Sequence, residues 1–184
     1  MRKFRVVIFG FAAAAFLFAS GNKTGEDRKY ENWKAVLVRA DEPGEPMIVT
    51  GVVYDSDGEK PLAGIKVHIY HTDARGYYSI DGKDESQHRL NATMVTNAEG
   101  KYEYRTIKPA SYPSSRVPSH VHYVVSGERI AEQRFELQFQ GDRHHPERAL
   151  QDDAKRSKFS YIRPLVKDAE GVLHCEFNIK IQQK

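Results

Sequence analysis

The sequence predicts an all-β protein, an antiparallel β-sandwich with long loops and little helix. Three observations lead there. Short runs rich in Val, Ile, Tyr and Phe recur at close spacing along the 184 residues. Several of them alternate apolar and polar residues with the period of two that gives a strand one buried face. Clusters of Gly, Asp, Asn, Ser and Pro separate them, as turns separate the strands of a sandwich.

The elements follow in order. Residues 1–21 carry Arg2, Lys3 and Arg5, then an apolar run over 6–19 and the small residues Ala19, Ser20 and Gly21. That is the pattern of a secretory signal peptide, and the run is short for a membrane-spanning helix. The segment before Asn22 resembles a lipoprotein signal in which Ser20 stands where the lipid-bearing cysteine would be. The expectation is export to the periplasm or beyond, with release and no stable membrane insertion. Residues 22–34 are polar and charged, a flexible tether. The sandwich domain is expected over 35–184.

A first strand is expected within 33–39, followed by a turn cluster over 41–46. Residues 47–54 are rich in Ile and Val, and 55–58 turn. In 63–71, Ile65, Val67 and Ile69 share one face, while Lys66, His68 and Tyr70 share the other. A short strand over 93–96 leads to a turn over 97–100. Residues 101–107 alternate through Tyr102 and Tyr104. A strand is expected over 120–126, another over 134–139 through Phe135, Leu137 and Phe139, and a last one over 172–181 after a turn at 167–171. Residues 145–155 form the one helical pattern, with Pro146 in its first turn.

Composition excludes some functions. The net charge is +3 with no concentrated basic stripe, which gives nucleic acid no footprint. The single cysteine, Cys175, cannot form an internal disulfide, and a thiolate zinc site is excluded. Cys175 reads as a small buried apolar residue.

The chemistry gathers in three stretches. His120 and His122 sit two apart on a strand, so both imidazoles point to the same side. His-x-His alone is weak, because it recurs in strands by chance. Tyr112 lies just upstream in a Pro-rich loop, and Gly76-Tyr77-Tyr78-Ser79 follows the strand at 63–71. Taken together these stretches resemble the intradiol ring-cleavage dioxygenases, over roughly 51–142. Gly76-Tyr77-Tyr78-Ser79 is similar to the family's Gly-x-Tyr-Ser. Thr106-Ile107-Lys108-Pro109 followed by Tyr112-Pro113 is similar to the lead-in to its second tyrosine. Pro118-Ser119-His120-Val121-His122 is similar to Pro-Ala-His-Ile-His, and Phe139-Gln140-Gly141-Asp142 to the strand end that closes the pocket.

The resemblance implies a non-haem Fe(3+) enzyme with Tyr78, Tyr112, His120 and His122 as metal ligands. It implies a catechol substrate and O2 as co-substrate, with ring opening between the two hydroxyls to a muconate-type dicarboxylate. Tyr112 is the ligand expected to leave and take a substrate proton. The donor set is consistent with a trivalent ion. A phenol titrates near ~10 in water, so two phenolates at neutral pH need a strongly polarising cation. Fe(3+), two tyrosinates and a hydroxide also sum to zero charge, which suits a partly buried site.

The sequence departs from the family at two positions. The family's arginine immediately before the Pro-x-His-x-His motif is here Val117, which makes Arg116 the candidate for stabilising charge on the substrate. The family's glutamine on the following strand is here Glu136, the second catalytic candidate, with Gln138 on the same face as the alternative. His144 and His145 fall in a polar loop, His68 and His71 read as structural, and His88 and His174 carry no signal. Residues 81–91 are expected to form a loop over the pocket that sets specificity. Two other functions compete. A cupin-like iron(II) oxygenase would want a nearby carboxylate and a later histidine, but Glu128 comes only after a predicted turn and no later histidine falls in a convincing strand; a transthyretin-like extracellular binding module would explain 51–70 without catalysis. Homo-oligomerisation and the identity of the catechol stay open.

Overall fold

Alternation decides which side chains turn inward, and the fold follows from it. The computed structural model describes residues 32–84 and 86–182. The expected signal segment at 1–21 and most of the tether lie outside the described residues. The strands are β1 (Lys34–Val36), β2 (Pro46–Tyr54), β3 (Lys66–His71), β4 (Leu90–Val95), β5 (Lys101–Ile107), β6 (His120–Gly127) and β7 (Ile130–Phe139). Helix α1 (Glu147–Ala154) and a 3-10 turn (Ser157–Phe159) come next. β8 (Ile162–Arg163), β9 (Val166–Lys167), β10 (Leu173–Glu176) and β11 (Ile179–Lys180) complete the chain.

One sheet runs β1-β5-β2-β10-β9, with β11 also on β2; the other runs β4-β3-β6-β7-β8. Both are mixed. The long ladders β2–β5, β3–β4, β3–β6 and β6–β7 are antiparallel, as the turn-rich spacing predicts. The short strands add parallel pairs: β1 on β5, β10 and β11 on β2, and β8 on β7. They are reached by long connections, which is what parallel pairing requires.

The core lies between the sheets. Met47, Val49 and Val53 of β2 and Tyr102 and Tyr104 of β5 meet Val67 and Ile69 of β3, Val121, Tyr123 and Val125 of β6, and Leu137 and Phe139 of β7. Each fully buried aliphatic or aromatic side chain contributes roughly 1.5–3 kcal/mol relative to exposure. The core tyrosines keep their hydroxyls satisfied. Tyr102 donates to the Phe177 carbonyl at 2.6 Å, and the Tyr104 and Tyr123 hydroxyls pair at 2.6 Å. Cys175 is buried, and burial pushes its thiol up to about 12.

Several boundaries differ from the sequence pattern. β7 starts at Ile130, four residues earlier than its alternation suggests, because it pairs with β6 back to the turn after Gly127. The last expected strand divides into β10 and β11. Phe177, Asn178 and Ile179 are buried in succession, which breaks the period of two, and Asn178 Oδ1 accepts from the Val52 N–H. In α1, Pro146 is the N-cap residue with extended backbone, just outside the first turn.

With Val121, Tyr123 and Val125 turned into the core, His120 and His122 must face outward from the second sheet. On β7, Glu136 and Gln138 face the same way. This outer face is covered by the loops after β3 and β5 and by α1. Asp153, near the end of α1, holds the helix to β8: its carboxylate accepts from Ser160 Oγ and from the Tyr161 and Ile162 N–H groups. Among the described residues no helix is long and apolar enough to cross a membrane.

Candidate metal centre

Two loops and one strand bring the four sequence-predicted donors together. β3 ends at His71 and the chain turns through Asp73. The Asp73 carboxylate accepts from the N–H groups of Arg75 and Tyr77 and from the Arg75 guanidinium at 2.8–3.1 Å. Burial opposes ionisation of Asp73, but these bonds, led by that from Tyr77, hold its carboxyl below the usual range. Arg75 also donates to the Ile80 carbonyl, and the Arg89 N–H donates to the Tyr78 carbonyl. The segment bearing Tyr78 is therefore fixed from both ends.

The second loop is tied to the first. Ala110 N–H donates to the Asp73 carbonyl and Thr72 Oγ1 to the Ala110 carbonyl. Gly76 explains how closely they pack. It adopts φ +89°, and a Cβ there would stand 2.3 Å from the Ser111 carbonyl oxygen and 3.0 Å from Pro113 Cδ. Only glycine lets the two tyrosine-bearing loops touch.

The donors converge at their tips. Tyr78 Oη is 2.6 Å from Tyr112 Oη and 2.9 Å from His122 Nε2. Tyr112 Oη is 3.1 Å from His120 Nε2 and 3.4 Å from His122 Nε2, and the two Nε2 atoms are 3.0 Å apart. His120 donates from Nδ1 to the Pro118 carbonyl at 2.7 Å, which leaves a lone pair on its Nε2. His122 Nδ1 faces Glu136 Oε1 at 3.5 Å, which favours the same tautomer. Burial first, and the neighbouring His120 second, push His122 down to about 4, so its imidazole is neutral at neutral pH. Burial and the Tyr112 hydroxyl raise Tyr78 above the usual phenol value.

These residues fit a metal. Two imidazole lone pairs face each other across 3.0 Å, and the two phenol protons cannot bridge all five short contacts. Ligands held about 2.0–2.2 Å from one cation stand about 3 Å from each other, which is the spacing observed. Burial disfavours a Tyr78 phenolate, and a cation beside it is what would stabilise that charge.

Glu136 forms a compact group with His120 and His122, but it approaches the Nδ1 side of His122, away from the converging Nε2 atoms. Arg116 is exposed on the loop between Tyr112 and His120. Glu128 lies in the turn at the far end of β6, six residues and roughly 20 Å along the strand from His122, out of reach of the site. His71 is a core residue: it donates from Nδ1 to the Thr72 carbonyl and accepts at Nε2 from Thr106 Oγ1, both at 2.7 Å. Burial pushes it down to about 4.

Two residues at the site escaped the sequence reading. Tyr70 stacks against His122 on one face, with centroids 4.7 Å apart, and His88 lies flat on its other side at 3.9 Å and 4°. Tyr70 was legible as an outward residue of β3. His88 comes from the irregular loop at 81–91, where no periodicity marks it. Beside His122 a cleft of about 700 Å³ opens between β7 and α1, lined by Tyr70, Arg134, Glu136, Gln138, Arg156 and Tyr161 among others.

The chain is similar to known proteins over most of its length. The sequence profile of a family described as Dioxygenase matches residues 21–183. A catechol 1,2-dioxygenase of Acinetobacter lwoffii is 28% identical over 145 residues, covering 70% of this chain and 50% of that protein. The catechol 1,2-dioxygenase of Acinetobacter baylyi is 31% identical over 121 residues, covering 56% of this chain and 39% of that protein. The chain thus spans half or less of the length of these two relatives. Among solved structures, the dioxygenase domain of a dioxygenase–carbohydrate-binding protein fusion from a cellulolytic Streptomyces superposes with a TM-score of 0.61. It is 21% identical, and the match covers 81% of this chain and 87% of that one, a likeness of fold.

Proposed function

The chain belongs to the intradiol ring-cleavage dioxygenase family, and we propose that it is a non-haem iron(III) enzyme that opens a catechol-type ring between its two hydroxyls with O2. The observation that carries this reading is the convergence of Tyr78 Oη, Tyr112 Oη, His120 Nε2 and His122 Nε2, with contacts of 2.6–3.4 Å. Bound iron(III) would supply Lewis acidity toward both catechol oxygens and draw electron density from the ring. The residues do the rest. His120 and His122 offer neutral nitrogen donors whose tautomers are set behind them by Pro118 O and Glu136. Tyr78 is the fixed phenolate, braced through Asp73 and Arg89. Tyr112, in a loop with Pro109, Pro113 and Pro118 near it, is the phenolate assigned to leave and accept a catechol proton at Oη. Tyr70 and His88 form an aromatic wall beside His122, and the cleft against α1 gives a substituted ring room to enter.

Arg116 is the cation this reading assigns to charge developing on the substrate, from its place on the loop between two ligands. Export follows from the pattern of residues 1–21. Against the cupin-like alternative, Glu128 is far from His122 and Glu136 faces Nδ1 of His122, away from the converging Nε2 atoms. The test is oxygen uptake by the iron-loaded protein with catechol, hydroxyquinol and protocatechuate, with the product identified by mass. A ring-opened dicarboxylate heavier than its substrate by one O2 supports the reading. An iron-loaded protein that consumes no oxygen with any catechol leaves the binding-module reading in its place.

A further inference from the structure

We propose that Glu136 is a positioning residue that backs His122 through Nδ1, making His122 the more electron-rich nitrogen donor and thereby setting the affinity and reduction potential of the bound metal. The inference rests on the metal-binding part of the reading above and goes beyond it.

Glu136 and His122 are direct partners across the β6–β7 ladder and face outward together. Opposed residues of antiparallel strands hold their Cβ atoms about 4.5–5.5 Å apart, within reach of both side chains. Glu136 Oε1 lies 3.5 Å from His122 Nδ1, and its other oxygen accepts from the Gln138 amide at 3.4 Å. The carboxylate is thus aimed at the ring edge opposite the metal-facing Nε2. The two histidines are not backed alike. His120 donates Nδ1–H to the neutral Pro118 carbonyl, whereas His122 has an anion in that position. An anionic partner on the remote nitrogen raises the basicity of the ligating one and fixes its orientation.

The local charge pattern leaves this effect standing. Arg134, the nearest cation on the same face of β7, is paired to Glu132 at 2.7 Å. Tyr70 presses on the face of the His122 ring, so the imidazole is held at its face and at Nδ1 while Nε2 points to the tyrosines. The Glu136 side chain is 47% exposed, which screens its charge and makes it a modulator of the centre.

The test uses the full chain, freed of metal and titrated with ferric iron against a competing chelator, and separately with zinc. Glu136→Gln keeps the shape and removes the charge. Loss of an outer-shell partner costs about 10–100-fold in metal affinity, and that loss is expected for both ions. In the iron-loaded variant the tyrosinate charge-transfer band is expected to move to longer wavelength and the reduction potential to rise, because the iron is less electron-rich. Glu132→Gln is the control, since it removes a carboxylate from the same strand face without touching His122. An unshifted band and wild-type affinity in Glu136→Gln overturn the proposal. So do equal shifts in both variants, which would indicate a general surface field. If the wild type itself binds zinc but gives no colour with ferric iron, the iron reading fails while the zinc comparison still decides the role of Glu136. If it binds neither ion, both fall.

Discussion

Gly76→Ala separates the packing of the two tyrosine loops from the chemistry they carry. The substitution has two costs. At φ +89° an L side chain is strained, by roughly 1–2 kcal/mol. In addition, the new Cβ would stand 2.3 Å from the Ser111 carbonyl oxygen, where nonbonded atoms come no closer than 3.0 Å, so the loops must part by about 0.7 Å. Gly76 is two residues from Tyr78, and Ser111 is next to Tyr112. A site must be held within roughly 0.5 Å of its working geometry, so this displacement exceeds what two phenolates sharing one ion can absorb. Gly64→Ala is the matched control: φ is +74°, but nothing lies within 4 Å of the new Cβ. Gly64→Ala should lose about 1–2 kcal/mol in urea unfolding, and Gly76→Ala more, because the contact with Ser111 adds to the same strain. Only Gly76→Ala should lose ferric colour and drop in kcat/KM on the order of 10²-fold, as about 1 Å of misplacement does. A Gly76→Ala protein that binds iron and turns over like Gly64→Ala would refute the loop-contact account.

Tyr78→Phe should lose more iron affinity than the 10–100-fold typical of an outer-shell partner, and with it most visible absorption; an unchanged spectrum would remove Tyr78 from the ligand set. Arg116→Ala should lower kcat by on the order of 10²-fold with iron binding intact, and a variant with normal kcat would strip Arg116 of its role. His71 makes stability depend on pH. Its folded value of about 4 lies below the ordinary 6.5, so as pH falls the unfolded chain takes up the proton first. Stability is full above pH 6.5 and declines until about pH 4, by about 3 kcal/mol. His71→Gln should flatten that part of the slope when urea unfolding at pH 7 and pH 4.5 is compared with wild type; an equal slope in both would assign the dependence elsewhere.

The strands and the shared face of His120 and His122 were legible because each carries a local period tied to geometry, whereas Tyr78 and Tyr112 were reached through the family resemblance of their loops. Ile65, Val67 and Ile69 turn inward as their alternation requires, and the same rule applied to β6 sends His120 and His122 outward. Glu136 could be placed opposite His122 only once the register was known, because which residues face each other depends on the turn at 127–130. The parallel pairing of β10 with β2 was not legible, since a strand's own pattern does not name its neighbour. The division of the last strand left a trace in Phe177-Asn178-Ile179, where three inward residues in a row interrupt the alternation. His88 left none. Its place on Tyr70 is set by the path of an irregular loop, and so is the contact of Gly76 with Ser111.

Binding of one ferric ion by Tyr78, Tyr112, His120 and His122 is the proposal on which the rest depends. It is tested most directly by titrating the metal-free protein with iron(III) and following the visible spectrum. The account predicts a burgundy tyrosinate-to-iron band that saturates at one iron per chain and is lost with the histidine pair replaced. A protein that binds ferric iron without colour, or keeps the colour in Tyr78→Phe and Tyr112→Phe together, would contradict it.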